Sequence, residues 1–182
     1  MKFNVSKSMV LRIGHTYKQL CVGLTVCGIS LSYVDKAKYL GVFLIAGRQF
    51  KASRSEAIRK FYKSVNSILS KAKGHMDEMV LLHLFEAHCK PLLVYACECF
   101  AFTKSEYARL SNAWNRIFWK LFKVNDSNCL RDIFLYAGCL LLQADIDMRK
   151  YSFLSKLSYS NNKILTELHA LFAQRHADKN AL

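Results

Sequence analysis

The chain has 182 residues, 52% of them hydrophobic, 13% aromatic and 22% charged. That balance is too apolar for a disordered tail and suits one ordinary domain, or a small sheet followed by a helical unit. A formal net charge of +14, from 27 Lys+Arg against 13 Asp+Glu, points to a polyanionic partner. The excess is one-sided: residues 1–75 carry 14 basic and 2 acidic side chains (+12), whereas residues 76–182 carry 13 and 11 (+2).

The seven cysteines have no regular spacing, and the first residues, MKFNVSKS, contain no apolar signal region. A reducing, intracellular setting is expected, cytoplasmic or nuclear and not secreted, so the sequons at Asn4 and Asn125 carry no glycosylation meaning. The most apolar stretch, 79–102, includes Glu86, Lys90, Pro91 and Glu98. A membrane span there would bury charge at several kcal/mol per residue, so no membrane partner is expected.

In chain order, β-branched and apolar residues broken by Gly14, Gly23, Gly28 and Gly41 read as short strands over 9–13, 20–26, 29–33 and 39–44. Helical periodicity begins after Gly47. Ser53-Arg54-Ser55-Glu56 has the spacing of a capping box, in which the serine hydroxyl and the glutamate carboxylate each satisfy a backbone N–H. The helix that follows runs to about residue 73. It sets Ile58, Phe61, Val65, Ile68, Leu69 and Ala72 on one face and Arg59, Lys63, Asn66, Ser67 and Ser70 on another, with Gly74 as its stop. Asp77 caps a second helix reaching about residue 102, which Pro91 should kink or divide. Thr103-Lys104-Ser105-Glu106 repeats the capping box before a helix to about residue 123, with Tyr107, Leu110, Trp114, Ile117, Phe118, Leu121 and Phe122 at core spacing. After the polar break Asn125-Asp126-Ser127-Asn128, shorter helices are expected near 129–137, 143–158 and 163–173.

Catalytic and metal signatures are weak. His83, His88 and Cys89 are not spaced as two ligands one helical turn apart with a second cysteine pair elsewhere, so no zinc site is expected. Asp145 and Asp147 form one close acidic pair, but at a helix start acids serve the macrodipole. No Gly-rich phosphate loop occurs, and no Ser, His and acid suggest a hydrolase.

Phe3-Asn4-Val5-Ser6-Lys7-Ser8, Val26-Cys27-Gly28-Ile29, Tyr39-Leu40-Gly41-Val42 and Cys89-Lys90-Pro91-Leu92-Leu93-Val94-Tyr95-Ala96 occur in this order. The series, spanning roughly residues 3–160, resembles the region after the active site in reverse transcriptases of non-LTR (LINE-type) retrotransposons. The resemblance implies the end of a palm over 1–50, a thumb-like helical bundle over 51–124 and a helical tail over 125–182. Tyr39, Leu40 and Gly41 would then be primer-grip residues, and the helix bearing Arg54, Arg59, Lys60 and Lys63 would lie along an RNA or RNA–DNA template–primer. The sequence departs from that family in having no glycine in Val94-Tyr95-Ala96-Cys97 and no cysteine/histidine knuckle towards the C-terminus.

A cationic helix face neutralises successive phosphates without reading bases, as a polymerase with a varying template requires. Nucleotide transfer needs carboxylates holding two metal ions, magnesium in the parent polymerase. The resembling family places these acids before Phe3, and the first 75 residues here offer only Asp35 and Glu56. The expectation is therefore an α+β, mainly α fold: a small N-terminal antiparallel β region followed by a helical bundle. It would grip nucleic acid as part of a polymerase whose palm and fingers lie elsewhere. It would not be an enzyme on its own and would hold no cofactor. A free-standing basic binding module, or a transposon relic, is the alternative. A further possibility is a chain that does not fold alone, because its strands leave an open edge.

Overall fold

The computed structural model describes residues 4–19, 21–72, 74–124, 126–167 and 170, and the fold is α+β, mainly α. Cα packing divides the chain into two compact units. The first takes the described residues up to Tyr95 together with Phe100–Glu106; the second takes Ala96–Cys99 and those from Tyr107 on. The sheet and the first basic helix therefore belong to one unit.

In the first unit, seven short strands precede the helices: β1 Met9–Leu11, β2 Thr25–Val26, β3 Ile29–Ser30, β4 Ser32–Val34, β5 Lys36–Tyr39, β6 Val42–Ile45 and β7 Lys51–Ser53. β5, β6 and β7 form an antiparallel sheet in that order, and β2 and β3 form a hairpin. β1 and β4 pair in parallel, Met9 opposite Ser32 and Leu11 opposite Val34, so the β region is not wholly antiparallel. The 20 residues between them include the β2–β3 hairpin, long enough for the chain to cross back and run the same way. Of the expected strands, 9–13 shortens to β1 with an isolated bridge from Ile13 to Gly47, and only Thr25–Val26 of 20–26 is a strand, Leu20 lying outside the described residues.

Residues 39–44 divide differently from the sequence reading. Tyr39 ends β5, Val42 opens β6, and Leu40-Gly41 is the two-residue loop between them. Both loop residues have positive φ, 44° and 81°, as in the hairpin turns whose twist matches that of the flanking strands. Glycine takes such a φ without strain; Leu40 does not.

α1, Ser55–Ala72, starts later than the capping box implied. Ser53 closes β7, the Arg54 carbonyl accepts from the Ile58 N–H, and Glu56 turns to Arg59. Its buried residues Phe61, Val65 and Ala72 pack on the following helical segment. Asp77 caps α2, Glu78–Leu84, by accepting from the Met79 N–H at 2.8 Å. A π-helical turn, Phe85–Cys89, then leads into α3, Lys90–Val94. In that turn the Lys90 N–H reaches the Phe85 carbonyl. The extra residue places Pro91, which has no N–H to donate, in the first turn of α3 where none is needed. The helix stops at Val94 instead of continuing to residue 102, because Tyr95 becomes extended.

Glu78–Cys99 is long and apolar enough to cross a membrane by length and composition. Here it is broken into α2, the π turn, α3 and a 3-10 turn at Cys97–Cys99. Its residues Leu82, Phe85, Cys89 and Leu93 are at most 1% exposed. Together with Phe61 and Val65 they make up the first unit's core.

The second unit is helical among its described residues. At the end of the first unit the Thr103 capping box forms as expected: the Thr103 N–H donates to Glu106 Oε2 at 2.8 Å, and the Glu106 N–H donates to Thr103 Oγ1 at 3.3 Å. It opens α4, Lys104–Phe122, which supplies Leu110, Ala113, Trp114, Ile117 and Phe118 to the second core. Asp126 caps α5, Ser127–Tyr136, and α6, Leu142–Ser158, adds Leu142 and Ile146. Phe118 anchors this core, its ring 4.3 Å from Phe134 and edge-on to Trp114 at 5.4 Å. Each such aromatic pair is worth about 0.5–1.5 kcal/mol beyond its burial. Residues 163–167 are helical, and part of the expected 163–173 helix lies outside the described residues.

Candidate nucleic-acid interface

The hairpin tip is fastened to the helices by one side chain. The Tyr95 hydroxyl donates to the Leu40 carbonyl at 2.9 Å, and the Tyr95 carbonyl accepts from Arg54 Nη1 at 2.8 Å. Between tip and helices lies a cleft of about 330 Å³, bordered by Gly41, Val42, Glu56, Lys60, Pro91 and Tyr95 among others. A Cβ built on Gly41 would meet the Tyr95 ring at 3.6 Å, an ordinary contact. Backbone conformation, not space, therefore favours glycine there.

The seven residues singled out from the sequence separate into three groups. Tyr39 and Leu40 project at the tip, 65% and 73% exposed, and Gly41 lines the cleft beside them. Arg59, Lys60 and Lys63 are exposed on α1, and Lys60 also borders the cleft. Arg54 does not join them: it is 6% exposed. Its guanidinium lies 5.0 Å from the Phe100 ring and 4.8 Å from the Phe102 ring while it donates to Tyr95. Placing Arg54 along a nucleic-acid backbone is thus corrected. The residue between β7 and α1 points inward, and the planar cation is held between aromatic faces and a carbonyl.

Arg59 is engaged as well, although at the surface, since its Nη2 lies 2.9 Å from Glu56 Oε2. The hydrogen bond from Arg59 holds the Glu56 carboxyl below its usual range against the opposing effect of burial, and the fields of Arg59, Lys36 and Lys60 add to the lowering. The Arg59 charge is partly neutralised there, whereas Lys60, Lys63 and Lys71 are exposed cations of this helix that no ion pair holds among the described residues. Glu106 is pulled below the usual carboxylate range too. Burial would raise it, but the Thr103 N–H and hydroxyl outweigh that, with help from the charges of Lys51 and Arg54.

The acids named from the sequence serve structure. Asp145 pairs with Arg149 at 3.0 Å, and Asp147 accepts from the Tyr107 hydroxyl at 3.1 Å. Among the described residues, no group of three or more His, Cys, Asp or Glu could hold a metal ion. The cysteines form no disulfide. Buried Cys89 has its thiol pushed up by burial, only partly offset by its hydrogen bond to Ser64 at 3.3 Å.

Sequence reasoning missed the role of Tyr95. The only signal was its place in the Pro91-Leu92-Leu93-Val94-Tyr95 segment, where a tyrosine just past a helix end is free to turn back. Compared with protein-family models, curated proteins and solved structures, the chain matches none.

Proposed function

We propose that this chain grips nucleic acid through its phosphate backbone, as the primer-grip and thumb portion of a reverse transcriptase of the non-LTR retrotransposon type. In this reading it does not add nucleotides itself. The observation that carries it is the cleft that joins the exposed hairpin tip at Leu40-Gly41 to the cationic side of α1 at Lys60. A primer strand seated there would meet hairpin backbone on one side and ammonium groups on the other. Neither reads bases, which suits a template of any sequence. The acid bordering the cleft, Glu56, is committed to Arg59. The metal-holding carboxylates, and the magnesium they bind, would belong to another part of the parent polymerase.

The test uses a labelled RNA template annealed to a DNA primer. The full chain should bind it and give no extension with magnesium and nucleotides. Replacing Lys60 and Lys63 by Ala should make the dependence of log affinity on log salt shallower by about one to two units. Robust synthesis by the chain, or a slope unchanged in the double variant, would overturn the reading. The second reading is a free-standing basic binding module, favoured by the first unit's own buried core around Phe61, Phe85 and Leu93. An upstream reading frame encoding a carboxylate-bearing hairpin would decide for the polymerase.

A further inference from the structure

The three-stranded sheet has two unlike faces. Cross-strand pairing puts Ala37, Leu44 and Ala52 in one row, and Ala37 and Ala52 are buried at 9% and 8% exposure, so that face packs inward. Because side chains alternate along a strand, the opposite face carries Lys36, Ile45 and Lys51 in one row and Lys38, Phe43 and Ser53 in the next. Three of those six positions are lysine and none is acidic, and all three lysines are exposed. The Lys36 ammonium lies 4.4 Å from the centre of the Phe43 ring and that of Lys38 lies 5.9 Å from it, so the aromatic face holds two of the cations in place. Two carboxylates that sense them are engaged elsewhere: Glu56, which feels Lys36, by Arg59, and Glu106, which feels Lys51, by Thr103.

We propose that this outer sheet face is a second phosphate-binding surface, on which Lys36, Lys38 and Lys51 contact the backbone of a nucleic-acid strand and Phe43 positions the first two. Charge complementarity selects the occupant: an apolar partner would leave three ammonium groups desolvated without counter-charge, whereas a phosphodiester strand supplies a regular row of anions. The inference deepens the nucleic-acid reading above by extending the contact from α1 to the sheet.

The experiment measures anisotropy of a labelled, primed RNA template over a salt series for four forms of the full chain. These are wild type, K36A/K38A/K51A, K60A/K63A, and the charge-matched control K120A/R131A/K156A. The sheet variant should flatten the log–log slope by about two units, at roughly 0.7–0.9 per lost phosphate contact, and the control should leave it unchanged. K36R/K38R/K51R should keep the wild-type slope. Lysine acetylation of the unmutated chain gives a second readout: Lys36, Lys38 and Lys51 should be protected by the RNA probe. A normal slope in the sheet variant together with unprotected lysines would overturn the proposal, and an equal effect from the control would reduce it to net charge. If K60A/K63A alone changes the slope, the sheet surface fails while the α1 reading stands; if the sheet variant alone does, the reverse holds. Loss of binding to phosphatidylserine vesicles with unchanged RNA binding would assign the face to a membrane instead.

Discussion

The two units each bury an apolar core but differ in where their exposed cations gather. In the second, two α6 cations are held by neighbours, Arg149 by Asp145 and Lys150 by the Tyr107 hydroxyl that also donates to Asp147, while Lys120, Arg131 and Lys156 are exposed. In the first, Lys36, Lys38, Lys51, Lys60 and Lys63 are exposed, and no ion pair holds any of them among the described residues. Both units nevertheless bury a continuous set of apolar side chains, so the uncompensated charge of the first contributes nothing that folding requires. Repulsion among like charges opposes the compact state. In the proposed function, that surface faces the phosphates of a nucleic-acid strand.

The comparison breaks most sharply at the core positions. Trp114→Ala in the second unit should cost about 3–5 kcal/mol, read by denaturant unfolding, and should leave the acetylation pattern of the first unit's lysines unchanged under native conditions. Coupled changes in both would mean that the units do not behave separately. Next is Arg54, the one cation buried in the first unit among the described residues. Arg54→Ala removes the donor to the Tyr95 carbonyl and the contacts with Phe100 and Phe102, for an expected loss of about 2–4 kcal/mol. Arg54→Lys should not restore it, because an ammonium lacks the planar fork and the stacking face. A loss below about 0.5 kcal/mol would return Arg54 to the surface cations.

A smaller effect is expected at the hairpin tip, where Gly41→Ala places a Cβ on a backbone at φ 81° without a clash. The cost should be about 1–2 kcal/mol, and the Tyr95 tie should loosen, seen as faster amide exchange in residues 39–42. The smallest effect is in the second unit and concerns pH. Burial first, then the Asp147 acceptor, pushes the Tyr107 phenol from 10.0 up to about 12. Its folded pKa is raised, so its contribution to stability is complete below pH 10 and is lost as pH rises through about 12. Tyr107→Phe should abolish that part of the alkaline fall in stability, and the absorbance titration should lose one late-ionising tyrosine.

Much of the helical fold was legible in the residues. Capping boxes and periodicity gave the Thr103 start, the Asp77 cap and the apolar faces of α1 and α4, because those signals are local, whereas Asp126, read only as part of a polar break, caps α5. The misread parts depend on distant partners. Ser53 was claimed by a strand that pairs with β6, Arg54 was drawn inward by rings about fifty residues away, and the second helix ended at Val94 because Tyr95 turned to meet both the hairpin and Arg54. The parallel β1–β4 pair was likewise invisible, since short strands and turns do not announce which neighbour they choose. Of the candidate site, the α1 cations and the hairpin glycine could be read directly, whereas the sheet lysines required knowledge of the register.

The central claim is that the cations of the first unit hold a phosphate backbone of any sequence, and it is tested most directly by titrating the full chain with two primed RNA templates of unrelated sequence across a salt series. Equal affinity for both, with the same steep fall as salt rises, is the expected result. A flat salt response, or strong preference for one template, would contradict it.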